Sequence, residues 1–180
     1  MSWETRGTRT TYENAWIRVR EDEVTRPDGS AGIYAVVELR APAVFVVPIT
    51  DAGEVVLVSV DRYPLGHSSL EIPAGGADAG DADLLVSAQR ELREETGLAA
   101  REWRDLGCVY SLNGVAHAPG RVFLATGLET VGSEEQTAEG ITGSRQVSFA
   151  ELSHLIADGT ITDNETLGAL LKALVALGQA

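Results

Sequence analysis

The residues best equipped for chemistry lie in one short run, Arg90-Glu91-Leu92-Arg93-Glu94-Glu95-Thr96-Gly97-Leu98. On a helix, Glu91, Glu94 and Glu95 sit at i, i+3 and i+4, so the three carboxylates share an arc of roughly 100°. Like charges at that spacing each disfavour a helix by ~0.2–0.5 kcal/mol, and Arg90 and Arg93 offset part of the cost. An arbitrary E-x-x-E-E is usually a solvated face. Two features argue otherwise here. Leu85, Ala88 and Leu92 form an apolar stripe beside the carboxylate arc, which puts those carboxylates at the border of a core. The helix is also entered from a glycine-rich loop, Pro73-Ala74-Gly75-Gly76 to Gly80, whose backbone can approach a ligand closely. Clustered carboxylates beside such a loop suit a hard cation such as Mg²⁺, which takes oxygen ligands and shares substrate phosphates. With three His and one Cys, the chain is too poor in nitrogen and sulfur ligands for a typical zinc site.

The elements that must hold this run follow from local pattern. Asp83 is a candidate N-cap for a helix running to Thr96, and Gly97 is a natural left-handed stop. Before it the texture is that of strands. Trp16 to Arg20 alternates, Pro27-Asp28-Gly29-Ser30 signals a turn, and Ile33 to Leu39 follows as the hairpin partner. Ala43 to Ile49 and Val55 to Val60, separated by a turn at Asp51-Ala52-Gly53, are almost continuously apolar and predict strands buried on both faces. After the helix, strands are predicted at Trp103 to Tyr110, Val122 to Thr126 and Gln146 to Phe149. A polar loop spans Glu129 to Gly143, and helices are predicted at Ala150 to Asp158 and Glu165 to Leu177. Cys108 is expected to pack in its strand, and His67, His117 and His154 to be structural or exposed. The pattern is α+β, a sheet with helices packed on it.

Composition narrows the function classes. The 180 residues carry 14 Lys+Arg against 27 Asp+Glu, a formal net charge of -13. Such a field repels polyanions and predicts no nucleic-acid partner. A small anionic substrate is compatible with it where metal ions neutralise the charge locally. One cysteine excludes an intrachain disulfide framework and fits a reducing cytoplasm. Met1 to Thr10 is polar, and the apolar run Leu167 to Leu177 is shorter than the ~20 residues needed to cross a bilayer. A cytoplasmic protein with no membrane partner is expected.

The Arg90–Leu98 run resembles the second half of the Nudix box, G-x5-E-x7-R-E-U-x-E-E-x-G-U, at every defined position. In the first half, Gly76 takes the glycine position but Ala82 stands where the first Glu belongs. Alternatively, Gly75 and Asp81 serve, with one extra residue before Arg90. The likeness extends further. Arg62-Tyr63-Pro64 followed by Leu70-Glu71-Ile72-Pro73-Ala74-Gly75 is similar to the R-x-P…E-x-P-A-G signature of the ADP-ribose and ADP-sugar pyrophosphatases. Gly114 to Leu128 resembles a "G…hhFLAxGL" strand of that subfamily, and Gly159 to Leu167 its "G-x-I-x-D-x-x-T-L" helix start. Val60-Asp61-Arg62 keeps only the arginine of the usual "Q-Y-R".

That resemblance implies a Nudix-type α/β/α sandwich with a mixed sheet. It also implies an N-terminal antiparallel β arm over residues 1–40, used for homodimerisation, beside a hydrolase domain over 41–180. It implies hydrolysis of the pyrophosphate of a nucleoside diphosphate linked to another group, ADP-ribose or an ADP-sugar first. GDP-mannose, a dinucleotide, or a silent ligand-sensing domain stand as alternatives. Carried over by position, Ala74, Glu91, Glu94 and Glu95 hold Mg²⁺ (or Mn²⁺), and Arg90 orients the glutamates. Glu139, in the loop that also carries Glu134 and Glu135, is the water-activating base. Arg62 and Glu71 contact substrate, Glu71 by way of ribose or an arginine, and Trp16 and Tyr34 stack on adenine.

Overall fold

The computed structural model describes residues 2–132 and 140–179. By internal contacts the chain divides into two units, Met1–Pro42 with Tyr110–Gly120, and Ala43–Val109 with Arg121–Ala180.

In the first unit, β1 (Glu4–Glu13), β2 (Ile17–Thr25) and β3 (Ala31–Leu39) form an antiparallel meander, and the two-residue β9 (Ala116–His117) adds to β3 in parallel. The β2–β3 hairpin agrees with the alternation and turn read in the sequence. β1 was not expected. Its residues lack an apolar face and are exposed along nearly its whole length, so periodicity carries no signal. It is held by its ladder to β2 and by polar cross-strand pairs. Arg9 lies opposite Glu21 and bonds to it at 2.9 Å, and the Thr8 hydroxyl donates to Asp22, directly opposite, at 2.8 Å.

The second unit contains β4 (Ala43–Pro48), β5 (Val55–Arg62), β6 (His67–Glu71), β7 (Ala74–Gly76), α1 (Leu84–Thr96) and β8 (Leu98–Tyr110). β10 (Pro119–Thr130), β11 (Ile141–Val147), α2 (Phe149–Ala157) and α3 (Asn164–Leu177) complete the chain. One sheet has the order β7-β4-β10-β8 and a second β11-β5-β6. Alternation along β4 and β10 builds two cores. Phe45, Val47, Val122 and Leu124 face one side with Leu152 of α2 and Leu170 and Ala173 of α3. Val44, Val46, Phe123 and Ala125 face the other, with Ala88 and Leu92 of α1. The sheet is therefore sandwiched between α1 and the α2–α3 pair, the α/β/α arrangement expected. β4 and β5 are buried almost throughout, as their unbroken apolar runs require.

Short elements inside glycine-rich or polar stretches differ from the sequence reading. β7 forms inside the expected glycine-rich loop, β6 forms where no element was read, and β8 starts directly after Gly97. Cys108 lies on β8 but is exposed rather than packed. Among the described residues no helix is long and apolar enough to cross a membrane.

Candidate active site

α1 is fixed at both ends by local chemistry. The Asp83 carboxylate accepts the Leu85 and Val86 amides at 2.9 and 3.1 Å, and Gly97, at φ 69°, returns its N–H to the Arg93 carbonyl at 2.8 Å. With Ala88 and Leu92 fully buried against β4 and β10, the helix has one rotational setting. Glu91 and Glu95 are each only 3% exposed. Carboxylates so buried carry a desolvation cost of several kcal/mol on the order typical for ions, unless charge or hydrogen bonds compensate.

The compensation comes from Arg90 and from β7. Arg90 donates to Glu91 Oε1 at 2.8 Å, to Glu94 Oε2 at 2.9 Å and to the Gly76 carbonyl at 2.8 Å. It also lies 3.4 Å from Asp78 and 3.6 Å from Asp81. Burial opposes the Arg90 charge, but Glu91 and Glu94 outweigh it and hold the guanidinium protonated far above any working pH. Glu95 Oε2 accepts the Ala74 amide at 3.0 Å. Gly75 is a close approach: a Cβ there would stand 2.1 Å from Glu91 Oε1, so the Glu91 carboxylate would have to move. The α1 carboxylates are thus packed directly against the Ala74–Gly75 backbone.

Asp81, not Ala82, supplies the loop carboxylate. It accepts the Ser87 hydroxyl at 2.7 Å and the Asp78 amide at 3.1 Å, which hold it below the usual carboxylate range. Ala82 is exposed. Asp78 and Ser87 were not singled out from sequence. Ser87 is one helical turn beyond the cap and fully buried, and its position four residues before Glu91, on the carboxylate arc, did carry a signal.

Arg62 and Glu71 form a forked pair across β5 and β6, Nε to Oε1 at 3.0 Å and Nη2 to Oε2 at 2.6 Å. Glu71 is buried and its bond raises the Arg62 pKa, with Glu95 and Asp163 adding smaller attractions. Of the two partners open to Glu71, an arginine is the one it has. Trp16 and Tyr34 belong to the other unit. Trp16 is 75% exposed at the head of β2. Tyr34 on β3 donates its hydroxyl to the Gly114 carbonyl at 2.5 Å, its ring edge-on to Trp3 at 5.3 Å. Glu139, Glu134 and Glu135 lie outside the described residues.

The donor chemistry fits a hard divalent cation. Glu91, Glu94 and Glu95 offer only oxygen, the adjoining Ala74–Gly75 backbone offers carbonyl oxygen, and four carboxylates share the single Arg90 guanidinium. Among the described residues no three His, Cys, Asp or Glu side chains are already grouped as a metal cage, the α1 carboxylates being engaged with Arg90 and the Ala74 amide.

Residues 3–37 match the family described as nucleoside diphosphate sugar hydrolase N-terminal domain, and residues 39–167 match the NUDIX domain. An ADP-ribose pyrophosphatase of Mycobacterium tuberculosis is 36% identical over 133 residues, 74% of this chain and 64% of its own length. This chain thus spans less than two thirds of that relative. A CMP-5'-(N-acetyl-N-hydroxy-3-aminopropyl)phosphonate hydrolase of Streptomyces rubellomurinus is 29% identical over 182 residues, 100% of this chain and 85% of its own length. The crystal structure of an ADP compounds hydrolase superposes with a TM-score of 0.84 at 19% identity, covering 100% of this chain and 98% of that one. The fold is the one the sequence resemblance implied.

Proposed function

The chain belongs to the Nudix family, and we propose that it hydrolyses the pyrophosphate bond of ADP-ribose, or of a close ADP-sugar, with a divalent metal ion. The carrying observation is the pair of buried carboxylates, Glu91 and Glu95, packed against the Ala74–Gly75 backbone with Arg90 shared among four acids. The Mycobacterium tuberculosis relative, named for ADP-ribose, supports the substrate.

Glu91, Glu94, Glu95 and the Ala74 carbonyl would hold Mg²⁺, with Mn²⁺ as a substitute. The bound cation supplies charge neutralisation at the diphosphate oxygens. Arg90 orients Glu91 and Glu94 through Nη1, which donates to both. Arg62, held by Glu71, presents its remaining donors toward a phosphate. Glu139 takes the proton of the attacking water. Water adds at one phosphorus, the bridging P–O bond breaks, and AMP and ribose 5-phosphate leave. Trp16 and Tyr34 stack on the adenine in a homodimer joined through the N-terminal arm, and the enzyme works in the cytoplasm. The exposure of β1 along nearly its whole length supports pairing with a second copy.

Full-length similarity to a hydrolase of a CMP-linked phosphonate favours a second reading, in which the base is a pyrimidine. One panel decides both. ADP-ribose, ADP-glucose, GDP-mannose, NADH and a CMP-linked ester are incubated with Mg²⁺, beside Glu94→Gln and Glu95→Gln controls. Metal-dependent AMP release from ADP-ribose, lost in both controls, is the expected result. Preferential CMP release would replace the adenine reading, and turnover surviving both controls would remove the metal site.

A further inference from the structure

The passage from β6 to β7 is four residues long, Glu71-Ile72-Pro73-Ala74, and each residue is held by a different element. Glu71 is forked on Arg62 of β5. The Ile72 amide donates to the Thr166 hydroxyl of α3 at 3.2 Å. The Pro73 carbonyl accepts the Val46 amide of β4 at 2.9 Å. The Ala74 amide donates to Glu95 of α1 at 3.0 Å. Ile72 and Pro73 lie in no strand, and proline has no amide, so the Ile72 N–H is the free donor of the passage. Thr166 receives it from 94 residues away, at 1% exposure.

Thr166 is itself aimed. Asp163 caps α3, taking the Thr166 amide on its carboxylate at 2.7 Å and the Leu167 amide on its carbonyl at 3.0 Å. A β-branched side chain at the third residue of a capped helix has few rotamers. We infer that Thr166 is a positioning residue for the metal-binding backbone: it holds the Ile72 amide so that Ala74 meets Glu95 in register. The chain of force is short. If the Ile72 amide lost its acceptor it would rotate toward another, and with φ of Pro73 locked by its ring the rotation passes to Ala74. This rests on the metal-dependent reading above.

The test uses three variants of the full chain. Thr166→Val keeps the shape and deletes the acceptor, Thr166→Ser keeps the hydroxyl, and Val147→Ala lowers stability from a buried position on β11. Two quantities are read, amide exchange by NMR and the dissociation constant for Mn²⁺ by electron paramagnetic resonance. Thr166→Val is expected to speed exchange at Ala74 about 10-fold relative to Val56 and to weaken Mn²⁺ about 10-fold, the lower end for groups that orient ligands. Thr166→Ser should restore both to within about 3-fold by the same reasoning. Val147→Ala should lower the Tm without moving either. Unchanged Ala74 exchange in Thr166→Val, or an equal change in Val147→Ala, overturns the inference. A parent protein that binds no Mn²⁺ sinks the metal reading instead, and Ala74 exchange still decides whether Thr166 sets that backbone.

Discussion

Two charged clusters in this protein are built from the same residue types to opposite ends. On the arm, Arg18 and Arg20 face Asp22 and Glu38, two cations against two anions. Arg18 and Arg20 both bond Glu38, Arg20 also pairs with Asp22, and Thr8 adds a donor to Asp22. On α1, Arg90 stands among Asp78, Asp81, Glu91 and Glu94, while Glu95 accepts a backbone amide and attracts Arg62. Balanced charge is architecture, since removing any member strands another. Excess negative charge at buried positions does little for the fold, and it makes sense as a receptor for a cation. The contrast is more informative than burial or the presence of carboxylates alone, because both clusters contain partly buried carboxylates.

The largest expected difference follows from exchanging one carboxylate for an amide in each. Glu95→Gln should cut kcat more than about 100-fold, beyond the range for groups that only orient ligands. It should leave the Tm unchanged or slightly higher, because one charge leaves an overfull site. Glu38→Gln should do the reverse. It takes charge-assisted bonds from two arginines, worth about 1–3 kcal/mol together, lowering the Tm by about 2–12 °C for a chain of this size, with kcat intact. Equal stability losses in the two variants would erase the distinction.

A smaller change sharpens the α1 side. Gly75→Ala places a methyl on the Glu91 carboxylate, whose head must move, while Gly76→Ala meets open space. Kinetics should separate neighbours that sequence alone does not. Gly75→Ala should lose about 10–100-fold in kcat, as displaced ligand support does. Gly76→Ala should keep wild-type activity, and its carbonyl still serves Arg90.

The arm cluster makes its own prediction in acid. Burial pushes the Glu38 pKa upward, but hydrogen bonds from Arg18 and Arg20 outweigh this and hold it below the ordinary glutamate value of 4.5. A lowered folded pKa means that the unfolded chain binds the proton first. The stabilisation is complete above 4.5 and is lost as pH falls through the folded value. Melting curves between about pH 6 and pH 3 should therefore fall less steeply for Glu38→Gln than for the parent. Parallel slopes would mean that the pair contributes nothing.

What the sequence disclosed divides along the same line. The α1 helix, its caps, its buried stripe and its three carboxylates are local in sequence, and the structure has them as the spacing predicts. The strands β4 and β5 declared themselves by unbroken apolar runs. β1 did not, because its stability lies in pairing with β2 and polar side chains carry no period. Arg62 and Glu71 were each legible as candidates, yet their mutual fork depends on the β5–β6 register, which no nine-residue spacing announces. Thr166 was visible within a helix-start pattern, but its partner Ile72 is set by tertiary packing alone. Sequence pattern therefore located the groups, and fold geometry decided whom they serve.

The smallest effect is the most specific to this chain. Two alignments of the loop were open, one placing Ala82 and one Asp81 where the family pattern has its first carboxylate. The structure puts the Asp81 carboxylate on Ser87 and near Arg90, and leaves Ala82 exposed. If Asp81 steadies Arg90, then Asp81→Asn should cost about 10-fold in kcat, as an orienting group does, with substrate KM little changed. Ala82→Glu should alter kcat by less than about 2-fold and stability by less than ~0.5 kcal/mol, as an exposed substitution does. The double variant decides between the alignments. Position 82 is exposed, whereas Asp81 takes the Ser87 hydroxyl, so a glutamate at 82 should not rescue Asp81→Asn. Rescue would show that the loop tolerates either position, and that Arg90 needs only a nearby charge rather than the fixed acceptor that Asp81 provides.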